Sequence, residues 1–237
     1  MRRLSYQYPE GLADAMEWPG DIAQAAKIQD ALAAKVRLRP LRKHPKLIAG
    51  VDAAFSDRLV FAAACLFSLP DLELIDESGA VETLRFPYVP GFLTFREGPA
   101  IVAAVKALAA KPELILVDGH GTAHPRRIGI ASHLGILLDT PTIGCAKSRL
   151  VGGRKEPGPK KGDWVPLVDA GETVGAVVRT KAGVRPVFVS PGHMVDLAGS
   201  VALVLETVGR FRIPEPLRRA DARSRTIKRR SGRGPED

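Results

Sequence analysis

Five ionisable residues stand where short apolar runs end or punctuated helices begin: Asp52, Glu97, Asp118, Lys147 and His193. Carboxylates delivered from separate strands to one sheet edge can hold a divalent cation, because Mg2+ takes hard oxygen ligands and keeps several waters. An ammonium beside them can neutralise a phosphate or orient an attacking water. A histidine there can serve as ligand or proton shuttle. Together these are the parts of a metal-assisted phosphodiester hydrolysis. Asp118 is the most telling of the five. It follows the apolar run Leu114-Ile115-Leu116-Val117 and opens a loop containing Gly119, His120, Gly121, His124, Pro125, Arg126 and Arg127. Glycines let a backbone approach a ligand closely, and guanidinium groups match phosphate geometry.

Each residue taken singly has a plainer reading. Asp-Gly is a common turn, and Glu97, expected in the first turn of a helix, is favoured there by the helix dipole. Lys147 and His193 could be solvated loop residues, and Tyr88 a surface aromatic. What argues for a site is that every strand expected to run to the same edge ends in an ionisable residue.

The elements that must position these groups can be read from hydrophobic period. Residues 21–39 carry helical apolar spacing between Pro19-Gly20 and Pro40. Residues 46–55 contain a strand expected to end at Asp52, and residues 60–68 and 72–85 complete a meander of three antiparallel strands. The period then changes. Residues 86–92 form a loop broken by Pro87 and Pro90, and 94–110 read as a helix. A strand at 114–117, a helix at about 128–138 and a strand at 142–146 follow. A Gly/Pro/Lys-rich loop at 152–162 precedes strands at 165–168, 173–179 and 186–190, and a helix covers about 195–210. A meander followed by alternating helix and strand is the order of a ribonuclease H-like domain, an α/β fold with one mixed sheet and helices on both faces.

A chain of 237 residues with 45% hydrophobic content can fill one sizeable core. We expect a single domain over residues 1–222 and a basic, disordered tail over 223–237. No signal-peptide pattern opens the sequence, and no apolar run approaches the ~18 residues that span a bilayer. A cytoplasmic protein without membrane association, working as a monomer, is expected. Cys65 and Cys145 lie in apolar, strand-like contexts and read as buried thiols. The net charge is +9; residues 210–237 hold ten Lys/Arg against four Asp/Glu, so +6 sits there and +3 in the rest. That balance suits a polyanionic partner such as nucleic acid.

Longer motifs sharpen the reading. Ala49-Gly50-Val51-Asp52, Phe86-Pro87-Tyr88-Val89-Pro90-Gly91-Phe92-Leu93, Phe95-Arg96-Glu97, Val117-Asp118-Gly119 and His124-Pro125-Arg126-Arg127 come first. Gly129 to Gly135, Gly144-Cys145-Ala146-Lys147-Ser148, Val189-Ser190-Pro191-Gly192-His193 and Pro214 to Asp221 follow. In this order, over roughly residues 22–225, they resemble the endonuclease V family of deoxyinosine 3′-endonucleases. The resemblance implies Mg2+- or Mn2+-dependent cleavage at the second phosphodiester bond 3′ to a deaminated base. It implies that Asp52 and Asp118 hold the metal, that Glu97 is the third acidic residue, and that Lys147 and His193 line the same site. It likens Pro87-Tyr88-Val89-Pro90 to a wedge that enters the duplex at the lesion, Tyr88 filling the gap left by the displaced base. Glycines 91, 119 and 121 are then expected around a pocket for that base.

One departure concerns the pocket: the family's usual Gln after Asp-Gly is His120 here, which should alter base contacts rather than metal binding. DNA containing deaminated bases is the expected partner. Inosine-containing RNA is the alternative substrate, and a non-catalytic damaged-DNA binder the remaining one. The presence of Asp52, Glu97 and Asp118 argues against the last.

Overall fold

The computed structural model describes residues 18–153 and 155–231. The N-terminal reading at residues 1–17 and the last six residues of the expected tail lie outside them. Helix α1 (Ile22–Ala33) starts where the Asp21 carboxylate accepts the Gln24 N–H at 2.8 Å, an N-cap. The strands are β1 (Leu47–Phe55), β2 (Leu59–Ser68), β3 (Leu74–Thr83), β4 (Leu114–Val117), β5 (Thr142–Ala146), β6 (Trp164–Asp169), β7 (Glu172–Val178) and β8 (Val187–His193). Between and after them come α2 (Leu93–Lys106), α3 (Ile130–Leu137), α4 (Leu197–Glu206) and α5 (Glu215–Ser231).

One eight-stranded sheet runs in the order β3-β2-β1-β4-β5-β8-β7-β6. β1, β4 and β5 are mutually parallel, and every other pairing is antiparallel. This is the ribonuclease H-like mixed sheet. Alternation along the strands builds two cores. Ala49, Val51, Ile115 and Val117 face α2 and α3, against Ile101, Val105 and Leu134. Ile48, Leu114 and Leu116 face α4 and α5, against Val204, Leu217 and Ala220. Cys65 and Cys145 are free, buried thiols.

Three expectations change. β1 does not stop at Asp52 but continues to Phe55, paired throughout with β2, so Asp52 is an in-strand residue opposite Ala63. Residues 223–231 are not a disordered tail but the second half of α5. Pro216, Leu217, Ala220 and Ser224 are buried along one stripe of that helix, at the spacing a helix needs to bury one face. Gly50 makes the contact possible: a Cβ there would lie 2.2 Å from the Pro216 carbonyl carbon. Lastly, β8 runs antiparallel to β5, which carries its end to the opposite edge from Asp118.

Candidate active site

The parallel register pairs Val51 with Val117, so the next residues, Asp52 and Asp118, arrive level with each other where β4 ends. β5, parallel to β4, delivers Lys147 one residue past its own end. The Lys147 ammonium donates directly to Asp118 Oδ2. Glu97 reaches the same place from the opposite face of the sheet, as the fifth residue of α2 and so beyond the first turn.

α5 adds a residue that sequence reasoning did not single out. Ser224 Oγ lies 3.4 Å from Asp52 Oδ2, and Asp221, one turn earlier, bears electrostatically on both Asp52 and Lys147. Asp221 stood inside a quoted motif. The signal that could have found it is the stripe Leu217, Ala220, Ser224, which presents that face of the helix to the sheet.

Asp118, Asp52 and Asp221 thus bear on one ammonium, and Glu97 crowds Asp52 and Asp118. Burial, then repulsion from Asp118 and Asp221, pushes the Asp52 carboxyl up to about 7. Burial, then Asp52 and Asp118, holds Glu97 well above the usual carboxylate range. Lys147 shifts upward: burial works against its charge, but Asp118, Asp52 and Asp221 together outweigh it. Among the described residues no three His, Cys, Asp or Glu side chains form a ready-made metal cage. The donor set nonetheless fits a hard cation. It is all oxygen, it is crowded enough to repel itself, and Mg2+ needs only one or two carboxylates beside water and substrate oxygens.

Next to this cluster lies a cavity of about 280 Å3, at the small end of ligand pockets, which run from roughly 300 Å3 upward. Asp118 and Lys147 form part of its wall, with Gly91, Gly119, His120, His124 and Leu150. Tyr88 stands at the rim, 69% exposed, between the exposed prolines Pro87 and Pro90. Gly91 adopts φ +85°, a conformation glycine takes without strain. Its carbonyl accepts from Gln29 Nε2 and from His124 Nε2, each at 2.7 Å. Because the Arg126 N–H donates to His124 Nδ1 at 3.1 Å, His124 is the neutral Nε2–H tautomer. Burial pushes its pKa down, in agreement. Burial likewise takes His120 down to about 4, so it too is neutral.

Two of the expected residues fall elsewhere. Gly121 does not line the cavity. It packs under it, where a Cβ would lie 2.0 Å from the Pro191 carbonyl oxygen, and its N–H donates to Ser190 Oγ at 2.8 Å. His193 is not at the site at all. It pairs with Thr142, at the start of β5 rather than its end, and four residues of strand put about 13 Å between those levels. There its Nδ1 accepts the Arg37 N–H at 3.3 Å. Burial lowers its pKa to about 4, leaving the neutral ring that this bond requires.

A mixed ribonuclease H-like sheet with clustered carboxylates where parallel strands end defines the class, a phosphodiester-cleaving nuclease. The family follows from comparison with known proteins: the endonuclease V family model matches residues 30–222, and the chain belongs to that family. It is an endonuclease, a hydrolase of phosphodiester bonds. Endonuclease V of Geotalea uraniireducens is 49% identical over 209 residues, 88% of this chain and 89% of that one. The crystal structure of endonuclease V from Streptomyces avermitilis superposes with a TM-score of 0.87 at 42% identity, covering 91% of this chain and 96% of that one. A Ciona intestinalis endonuclease V was crystallised with a 24mer DNA containing an inosine followed by a ribo-adenosine. It superposes at 0.78 with 29% identity, over 88% of this chain and 98% of that one. Among the described residues no helix is long and apolar enough to cross a membrane.

Proposed function

We propose that this protein is a DNA repair endonuclease that hydrolyses the second phosphodiester bond 3′ to a deaminated base, deoxyinosine above all. The products are a 3′-hydroxyl and a 5′-phosphate. The observation that carries the reading is a shared wall: Asp118 and Lys147 belong both to the carboxylate cluster and to the small cavity behind Tyr88. A base held in that cavity brings a neighbouring phosphodiester of its own strand to the carboxylates. Family membership and the inosine-containing DNA bound by the Ciona relative support the same substrate class.

Pro87 and Pro90 stiffen the loop that presents Tyr88, so the ring can enter the stack without ordering a flexible segment. Extruding a base costs a few kcal/mol, least for a badly paired one, which favours a lesion over a normal pair. The cavity then receives the base against Gly91 and Gly119, with His120 and His124 beside it. With both acceptor positions of the Gly91 carbonyl filled by Gln29 and His124, that part of the wall is held in one conformation.

Asp52 and Asp118 would hold Mg2+, for which Mn2+ would substitute, with Asp221 in reach. Bound there, the ion would polarise the phosphate and lower the pKa of water. Glu97, buried beside Asp52 and Asp118, would complete the acidic set around the ion. Lys147 holds Asp118 in place and offers positive charge to the phosphate oxygens. His193 has no part in this chemistry.

Duplexes carrying deoxyinosine or deoxyadenosine at one position, and an RNA strand carrying inosine, test the assignment side by side. A nick in the deoxyinosine duplex alone is expected. Cleavage of RNA alone moves the substrate to inosine-containing RNA, and cleavage of none contradicts the reading.

A further inference from the structure

The last turn of α5 carries charge that no carboxylate among the described residues neutralises. Of the helix's earlier cations, Arg218 pairs with Glu215, Arg219 and Arg223 share Glu77, and Arg225 pairs with Asp221. Lys228, Arg229 and Arg230 are exposed and meet no carboxylate at ion-pair distance among the described residues. Their cost near the negative end of the helix dipole is low, which accounts for their being tolerated but not for three cations in a row with no ion-pair partner among the described residues. A membrane surface does not suit them, because the apolar stripe of α5 is already buried against the sheet and has nothing left to insert.

Their position relative to the site gives them a direction. α5 begins at Gly50 in β1, passes Asp52 at Ser224, and reaches β3, where Ile227 lies against Gly79. Residues 228–230 stand four to six residues past Ser224, roughly 6–9 Å further along the helix axis. The cavity lies on the other side of the carboxylates, toward β4 and β5. A strand whose base occupies the cavity, and which is cut on the 3′ side of that base, therefore leaves the carboxylates toward β3.

We propose that Lys228, Arg229 and Arg230 form a phosphate-contacting surface that holds the backbone on the 3′ side of the scissile bond. This rests on the substrate reading above. Phosphate neutralisation by cations makes binding salt-dependent, with a log–log slope of about −0.9 per phosphate contact on duplex DNA.

The test uses the full chain carrying K228Q/R229Q/R230Q, which keeps good helix formers at exposed positions. A charge-matched control carries K35Q/R42Q/K46Q, in the segment leading into β1 at the opposite sheet edge. Binding to a deoxyinosine duplex is measured against salt, on a long substrate and on one truncated just 3′ of the nick position. For the α5 variant we expect a slope shallower by about 2–3 and affinity lower by about tenfold or more at 50 mM salt. Its nicking rate at saturating enzyme should be unchanged. The control should bind like the unmodified protein, and truncation should erase the difference between the α5 variant and that protein. Unchanged slope and affinity in the α5 variant would overturn the proposal. So would an equal loss in the control, or a deficit that persists on the truncated duplex. If the unmodified protein neither binds nor nicks deoxyinosine DNA, it is the substrate reading that fails instead.

Discussion

Asp52 and Asp118 stand side by side because β1 and β4 are parallel and in a register that pairs Val51 with Val117. Neither residue is held there by a hydrogen bond to the other; the sheet imposes the proximity. The consequence is electrostatic. Two carboxylates forced together in a half-buried place cannot both ionise freely, and the site is organised around that conflict.

Burial of Asp52, and then its repulsion from Asp118 and Asp221, makes the protein's stability depend on pH in chelator. An ordinary Asp ionises near 3.8, whereas Asp52 in the folded chain does so at about 7. Below the lower value the group is neutral in both states and costs nothing. Between the two, the folded state binds the extra proton, so stability falls as pH rises. Above about 7 the full cost is present. Asp52→Asn removes it, and the expected outcome in EDTA is a stability gain at pH 8 on the order of a few kcal/mol, seen as a higher Tm and shrinking toward nothing at pH 4. A thermal melt series at both pH values checks the sign.

Tyr88 acts on the duplex rather than on the reacting phosphate. Stacking on an aromatic ring is worth about 1–3 kcal/mol per base, so Tyr88→Ala should slow nicking of a deoxyinosine duplex roughly tenfold to a hundredfold. On a single strand carrying the same lesion the effect should be several-fold smaller. Equal losses on both substrates would remove the wedge role.

His193 tests the placement of residues along β8. If it lies at the far edge, bonded to the Arg37 backbone, His193→Ala should leave kcat within about threefold. The cost should appear in stability, at about 1–3 kcal/mol for removing a buried ring and its hydrogen bond. Single-turnover nicking and a urea melt separate the two effects.

Gly50 connects the sheet to α5. A methyl group there meets the Pro216 backbone at 2.2 Å, which only a shift of the helix can relieve. Gly50→Ala should cost about 1–3 kcal/mol and lower the nicking rate as well, because the shift carries Asp221 and Ser224 away from Asp52. Intact activity at reduced stability would mean that α5 does not position the site.

Much of this could be read from residue order, and the exceptions share a cause. β4, β5 and α3 are visible because Leu114 to Val117, Thr142 to Ala146 and Ile130 to Leu137 are apolar runs bounded by Gly, Pro or Asp. Strand direction leaves no mark in such runs, so His193 was expected at the wrong edge. Asp52 looked like a strand end because a carboxylate rarely lies within a strand, yet it is tolerated there since it faces the site. α5 hid its buried stripe among seven Lys and Arg residues, and with it Asp221. Only tertiary packing against Gly50 and Gly79 reveals that a strongly basic segment is a covering helix.

The central claim is that Asp118 and a divalent cation together cut DNA at a fixed offset from a deaminated base. The most direct test is a duplex 5′-labelled on a strand with one deoxyinosine, incubated with Mg2+ or EDTA, beside Asp118→Asn. The account predicts one labelled product, ending one nucleotide 3′ of the lesion, formed in Mg2+ and absent in EDTA and with the variant. A product in EDTA, an undiminished rate for Asp118→Asn, or a nick at any other position would contradict it.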